Sequence, residues 1–328
     1  MLEALKFVRG AVAKKSPIPI LTHFSIREGL VKGYNGAITL CSPIPLNLDC
    51  QPKAEPFVRA IQACEDTVHL ALTPAGRLTV KSGKFRVHVE CSPEEFPDAV
   101  PTGVRNDADL TGLIAALKAL EPLIAEDASR PWARSILIQD GCLYATNNII
   151  LVQYWIGIQT PGRICISHAA VNELIRIGLD PIAIQTDTDN SITFHYGEDR
   201  WLKTHVVTQE WPDLNRVLNR ESTQEPFPEQ LFQSLDLIAP FADKTRDVWF
   251  AKGGVTTSLV DQEGATQEVE ELYPQGWYDI DQLRSLNGLI DTADFSMYPA
   301  PVLFFGMEGA LRGAIVGRKD GTYPPASE

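Results

Sequence analysis

Positive charge is scarce in this sequence: 29 Lys and Arg stand against 42 Asp and Glu, a net charge of -13. A protein that grips nucleic acid from one open side carries a basic surface. Any DNA role must therefore rest on a local basic patch or on topology. The six cysteines (Cys41, Cys50, Cys64, Cys91, Cys142, Cys165) contain no CxxC spacing and sit mostly in apolar runs. They read as buried free thiols of a reduced, intracellular protein. No apolar run approaches the ~20 residues of a membrane helix. The opening MLEALKFVRGAVAKK alternates charged and apolar residues, unlike a secretory signal. The six histidines form no HxH or HExxH pair, and no P-loop, GxGxxG or GxSxG occurs. The run Thr186-Asp187-Thr188-Asp189-Asn190 lacks the Gly and distal Glu of a calcium loop. It falls between strand patterns at Ile182 to Gln185 and Ser191 to Tyr196, and so reads as a hairpin turn. No metal, cofactor or catalytic residue is expected.

What is present is length and repetition. The chain has 328 residues, 44% of them hydrophobic, enough for two or three cores. KSGKFRVHVECSPEEFPD (Lys81 to Asp98) recurs as HYGEDRWLKTHVVTQEWPD (His195 to Asp213). Thr79 and Thr193, Gly83 and Gly197, and Arg86 and Arg200 are each 114 apart, and the closing EFPD and EWPD are 115 apart. Just upstream, AEPFVRAIQACED and SHAAVNELIRIGLD place Phe57 and Ile61 against Val171 and Ile175, again at 114. Apolar residues four apart predict short amphipathic helices, ending near Asp66 and Asp180. EGLVKGYNGAITL from Glu28, DGCLYATNNIILV from Asp140 and KGGVTTSLV from Lys252 align at intervals of 112. Each reads as a strand, a Gly turn and a second strand. An apolar helix face precedes each: Leu2, Leu5, Val8, Val12; then Leu110, Leu113, Leu117, Leu120; then Leu231, Phe232, Leu235, Ile238. The chain thus reads as three α+β units of ~110 residues, with boundaries near Pro101 to Asp107 and Asn219 to Glu225.

Four stretches carry a resemblance: KKSPIPIL (Lys14 to Leu21), LTVKSGKFRVHVECSPEEFPD, ATNNIILV and WPDLNRVL. Together the chain resembles the bacterial DNA sliding clamps, the beta subunits of DNA polymerase III. The family begins with a strand, whereas here a helix starts almost at Met1. Asn148, Ile149 and Ile150 stand where the family tends to carry Gly, His and Arg. The family closes with a Met-rich tail, whereas here the last strand, Leu311 to Val316, runs into polar GRKDGTYPPASE, expected to be mobile. The divergence suggests a phage or plasmid version.

The resemblance implies three clamp domains, 1–103, 104–219 and 220–328, each with two helices on a curved antiparallel sheet. It implies two chains joined head to tail into a ring around duplex DNA. Such a chain is not an enzyme; it tethers polymerase and clamp loader in the cytoplasm of a bacterial or phage-infected cell. Candidate DNA-facing cations are Lys6, Arg9, Lys14, Lys15, Arg59, Lys118, Arg176 and Arg284. Lys15 matches a DNA-contacting Arg of the family. Each reads equally as a solvated surface charge, and acids interrupt the later helices (Asp107, Asp109, Glu121; Glu229, Asp236, Asp243). The family's partner-peptide cleft maps onto Thr146, Leu151, Pro212, Arg216, Val217, Ile315 and Val316. Asn148, Ile149 and Ile150 sit in the same motif with altered types. Leu151 and Val316 read as well as core. Two alternatives stand beside this: a clamp-like scaffold that does not encircle DNA, and a hydrolase on a duplicated α+β fold.

Overall fold

A computed structural model describes residues 1–319 apart from 98, 128, 129, 189, 198, 229, 252, 261 and 274. Asp98, Asp189, Glu229, Lys252 and tail residues 320–328 therefore lie outside the described residues. The chain divides into two compact units. Unit 1 comprises Met1–Ile114, Ile158–Gly162 and Ala169–Thr208; unit 2 comprises Ala115–Gly157, Arg163–His168 and Gln209–Glu328.

In unit 1, seven antiparallel strands run in the order β1 (Ser25–Arg27), β2 (Leu30–Tyr34), β3 (Ile38–Pro43), β14 (Trp201–His205), β13 (Ser191–His195), β12 (Ala183–Thr186), β7 (Val104–Asn106). A second sheet joins β4 (His69–Leu72), β5 (Arg77–Ser82) and β6 (Phe85–Glu90). Helix α1 (Leu2–Val8) packs on β2, β3 and α2 (Ala54–Gln62). On α2, Phe57, Val58 and Ile61 are buried, while Glu55 and Arg59 pair outside at 3.0 Å. The α1 helix is shorter than its apolar pattern predicts: it tightens into a 3-10 turn over Arg9–Ala11, and Val12 is extended. Helix α3 (Leu113–Leu120) starts after Leu110, and its first N–H groups are capped from within unit 1. The Asp180 carboxylate accepts from Gly112 N at 2.9 Å and Ile114 N at 2.8 Å. Asp180 thus serves the start of α3, three residues beyond the last residue of α4 (His168–Ile177).

In unit 2, eight strands run in the order β11 (Ile164–Ser167), β8 (Ser135–Gln139), β9 (Gly141–Thr146), β10 (Ile150–Ile158), β22 (Leu311–Ile315), β21 (Val302–Gly306), β20 (Thr292–Ala293), β15 (Glu225–Pro226). A four-stranded sheet runs β18 (Thr266–Glu268), β17 (Gly254–Thr256), β16 (Asp247–Ala251), β19 (Gly276–Asp279). Helix α6 (Leu231–Ile238) lies on β17, β18 and α7 (Ile280–Arg284), and α5 (Asn215–Leu218) lies on β22. Phe250, Tyr278 and Phe295 form an aromatic core, with the Phe250 ring 5.1 Å from each of the other two.

The 112-residue repeat is legible in strand register. Arg27 pairs with Leu30, Gln139 with Cys142 and Ala251 with Gly254; one rung further, Ile26 pairs with Val31, Ile138 with Leu143 and Phe250 with Val255. Glu28 and Gly29 have φ of 52° and 75°, Asp140 and Gly141 51° and 78°, and Gly253 74°. Positive φ at both central residues is what a type I′ hairpin demands, so Gly at the second position has a backbone reason. Within the first motif β2 and β3 flank a further turn at Gly36 (φ 98°), and within the second β9 and β10 flank Asn148, as a strand, a turn and a second strand; KGGVTTSLV holds a single strand, and its hairpin partner β18 comes later, at Thr266. The 114-residue repeat becomes 115 at another turn. Ser82 pairs with Phe85, whereas Tyr196 N donates to Arg200 O at 2.8 Å, leaving one more residue in the loop. The structural counterpart of Arg86 is therefore Trp201, not Arg200.

The run from Thr186 to Asn190 joins β12 to β13, where Thr186 pairs with Ile192. At the C-terminal end, Gly317 and Arg318 are not part of a loose tail. Arg318 donates to Asp247 Oδ1 at 2.5 Å, Asp279 Oδ2 at 2.8 Å and Thr245 O at 2.7 Å, and its own N–H reaches Trp277 O at 2.7 Å. Asp247 is buried, so this charge pair anchors the segment.

Candidate nucleic-acid interface and peptide cleft

Five of the eight candidate cations meet in unit 1. Lys6, Arg9, Lys14, Arg59 and Arg176, joined by Lys53, line one cavity of about 780 Å³ with Glu55 and Glu173. Six cations against two carboxylates make a positive patch on a chain of net charge -13. The charges are not equally free. Glu55 takes Arg9 at 2.7 Å and Arg59 at 3.0 Å. Glu173 is buried and takes Arg176 at 2.5 Å. The same guanidinium donates to Phe7 O at 2.6 Å and Lys6 O at 3.3 Å. Arg176 therefore satisfies carbonyls at the C-terminal end of α1, which lack partners within the helix. Of the candidate DNA-facing cations, Arg176 is thus the one, among the described residues, whose fork engages both a buried carboxylate and backbone carbonyls. Gly10 makes the approach possible, because a Cβ there would lie 1.9 Å from Glu173 Oε1.

Lys15 is exposed but does not line the cavity. Lys118 and Arg284 belong to unit 2, on α3 and α7. Arg284 is committed to Asp236 at 2.6 Å and Asp281 at 3.3 Å. A bidentate bond from Arg246, at 2.7 and 2.8 Å, holds the Asp281 carboxyl below the usual carboxylate range. Among the described residues Lys6, Lys14, Lys15, Lys53 and Lys118 enter no ion pair. Lys53 was missed because it precedes α2 rather than riding on it.

A second cavity, of about 210 Å³, lies wholly in unit 2. Thr146, Asn148, Ile149, Ile150, Leu151, Pro212, Val217 and Val316 all line it. The turn between β9 and β10 shapes one wall. Asn148 is left-handed at φ 75°, and Asn147 Oδ1 accepts from Ile149 N at 3.1 Å and Ile150 N at 2.8 Å. Thr146 Oγ1 donates to Ile150 O at 2.6 Å and accepts from Asn148 N at 3.0 Å. Asn is one of the few residues other than Gly that adopts this left-handed conformation routinely. Strand β22 forms the floor through its pairing with β10, Leu151 opposite Ala314 and Ile150 opposite Ile315.

Two expected residues stand apart. Ile315 is buried in the core, and Arg216 is exposed outside the cavity. Strand alternation explains the first: Ala314 and Val316 share the cleft face and Ile315 points the other way. Helical spacing explains the second, since Asp213, Leu214 and Val217 share a face that excludes Arg216. Both signals were in the sequence. Trp132 and Pro301, also lining the cavity, are remote in sequence from the motif and carried no such signal. Trp132 packs on buried Trp211 at 5.2 Å, and Arg130 donates to Asn148 Oδ1 at 3.0 Å on the polar edge.

No family model matches the sequence, and no curated protein matches it. Solved structures do. A sliding clamp (DNA polymerase III subunit beta) from Pseudomonas aeruginosa is 15% identical, with TM-score 0.80 over 98% of this chain and 97% of that one. The beta sliding clamp of C. crescentus gives 16% and 0.81, and the DNA polymerase sliding clamp of Bacillus subtilis 15% and 0.79, each over 97% of both chains. The chain has the sliding-clamp fold.

Proposed function

We propose that this chain is a DNA sliding clamp, a processivity factor that encircles duplex DNA and tethers a polymerase, and that it is not an enzyme. The observation that carries the reading is convergence. Eight of the ten residues matched to the family's peptide cleft surround one cavity, in a chain whose fold is that of sliding clamps. Its walls are mostly Ile, Leu, Val, Trp and Pro, which suits an apolar peptide anchor better than hydrolytic chemistry. Polymerase and clamp loader would dock there by short peptides.

The 112-residue register favours three domains near 1–103, 104–219 and 220–328. It also favours a head-to-tail dimer. The second strand of hairpin one, β3, pairs with β14; that of hairpin two, β10, pairs with β22. By the same repeats the counterparts are β18 and β6, and each is the edge of its sheet. Pairing β18 of one copy with β6 of another satisfies both edges, and two such interfaces close a ring. Charge is largely complementary: β6 carries Arg86 and Glu90, with Lys84 in the turn before it and Lys81 on the adjacent β5, and Glu263, Glu268, Glu270 and Glu271 lie on or beside β18. The ring would act in the cytoplasm of a bacterial or phage-infected cell.

A ring needs no tight grip. It raises the polymerase's effective concentration at the primer end by tethering, and its lysines touch phosphate without reading sequence. The test is loading onto nicked circular plasmid with the cognate loader. Retention on the circle, with loss on linearisation, is expected. Equal retention on circular and linear DNA would leave the non-encircling scaffold as the better reading.

A further inference from the structure

We infer that Cys50 and Cys91 form a reversible dithiol–disulfide site, in which peroxide oxidation joins the two sulfurs and staples the segment leading into α2 to the end of β6.

The backbone sets the pair. Residues 50–53 form a short rung between two parts of unit 1. Cys50 bridges Ile26 on one side, and Pro52 bridges Cys91 on the other. The rung is closed by Cys50 N to Ile26 O at 3.0 Å, Ser92 N to Gln51 O at 2.9 Å and Lys53 N to Glu90 O at 2.8 Å. Residues two apart on an extended segment share a face, so Cys50 and Pro52 point the same way. Cys91, opposite Pro52, points with them. The two thiols are diagonal neighbours, and each perturbs the ionisation of the other. Cys50 is buried and Cys91 half-buried, so an oxidant reaches Cys91 first with Cys50 behind it. Elsewhere, Cys64 bonds Ala60 O at 3.1 Å and Cys142 Sγ accepts from Gln153 Nε2 at 2.9 Å.

Diagonal Cα atoms lie roughly 7–8 Å apart, and a disulfide spans about 4.4–6.8 Å. Closing the bond therefore draws the rung roughly 1 Å toward β6. Lys53, Glu55 and Arg59, which follow directly, line the basic cavity, so the staple acts on that cavity's wall. The chemistry balances. The Cys91 thiolate attacks one peroxide oxygen, giving a sulfenic acid and releasing water. The Cys50 thiolate then attacks the Cys91 sulfur and displaces hydroxide, which leaves as a second water. Two thiols lose two electrons to one peroxide. Burial pushes the Cys50 thiol up to about 12 and raises Cys91 as well. The thiolate fraction near neutrality is small, so the rate should rise nearly tenfold per pH unit between pH 7 and 9.

The experiment treats reduced full-length protein with hydrogen peroxide at pH 7 and pH 8.5, blocks free thiols, and maps peptides by mass spectrometry. The expected result is an intramolecular Cys50–Cys91 peptide, formed faster at pH 8.5 and reversed by dithiothreitol. The link should vanish in Cys91→Ser and persist in Cys64→Ser. Sulfinic acid on Cys91 with Cys50 unlinked, a link to any other cysteine, or intermolecular disulfides alone would each overturn the proposal. The map on the unaltered protein decides the matter even if a variant fails to fold.

Discussion

At Arg176 one guanidinium does two structural jobs, pairing with buried Glu173 and capping two carbonyls of α1. Removing it strands a carboxylate of low exposure, and such losses cost roughly 2–4 kcal/mol. Arg176→Ala should lower the urea midpoint accordingly, and Arg176→Lys should not restore it, since a point charge cannot span both acceptor sets. Lys14→Ala, on an exposed lysine without an ion pair, should leave the midpoint within about 0.5 kcal/mol and weaken DNA retention instead. Equal destabilisation by both would remove the distinction drawn between structural and free cations. Glu173, three residues before Arg176 on the same helix, is a local partner; the α1 carbonyls that Arg176 also reaches are not legible in the sequence, because only the fold brings them opposite it.

Among elements, the β9–β10 turn, α5 and β22 build the cleft. Ile149 and Ile150 occupy positions where the family tends to carry polar residues, so its peptide preference should differ. Peptides from host clamp partners should bind weakly in a fluorescence titration, and nanomolar binding would contradict this. Val217→Asp places a charge on the apolar wall and should weaken the chain's own partner peptide at least tenfold, about 1.4 kcal/mol, without shifting Tm. The elements themselves were largely legible. The amphipathic spacing of Phe57 and Ile61 marked α2, and Gly after Glu28 and Asp140 marked the hairpins. Boundaries were less so. Val12 continues the apolar pattern of α1 but lies beyond it, since periodicity reports which residues are buried and not where the backbone turns. The end of the chain shows the same gap: Arg318 reads as the start of a polar tail, but distant Asp247 and Asp279 fix it.

For the whole molecule, β6 and β18, each an edge of its sheet, bear the strongest consequence. Light scattering on a sizing column should give the mass of two chains. Arg86→Glu, which puts an acid opposite the acidic surroundings of β18, should shift the mass toward one chain, most clearly at low salt. A monomer for the unaltered protein at micromolar concentration would remove the basis for a closed ring.

The sequence by itself determined the modules: hydrophobic periodicity and the glycine turns are local, and a repeat of 112 residues carries the same local physics forward each time. The resemblance to sliding clamps pointed to most of the residues that line the cavity, because they lie in two short motifs. Only the tertiary structure decided that Arg9 meets Glu55, that Arg284 meets Asp236, that Arg176 reaches the carbonyls of α1, and that Cys50 adjoins Cys91. Those are relations between residues far apart in the chain, and the folded packing chooses them.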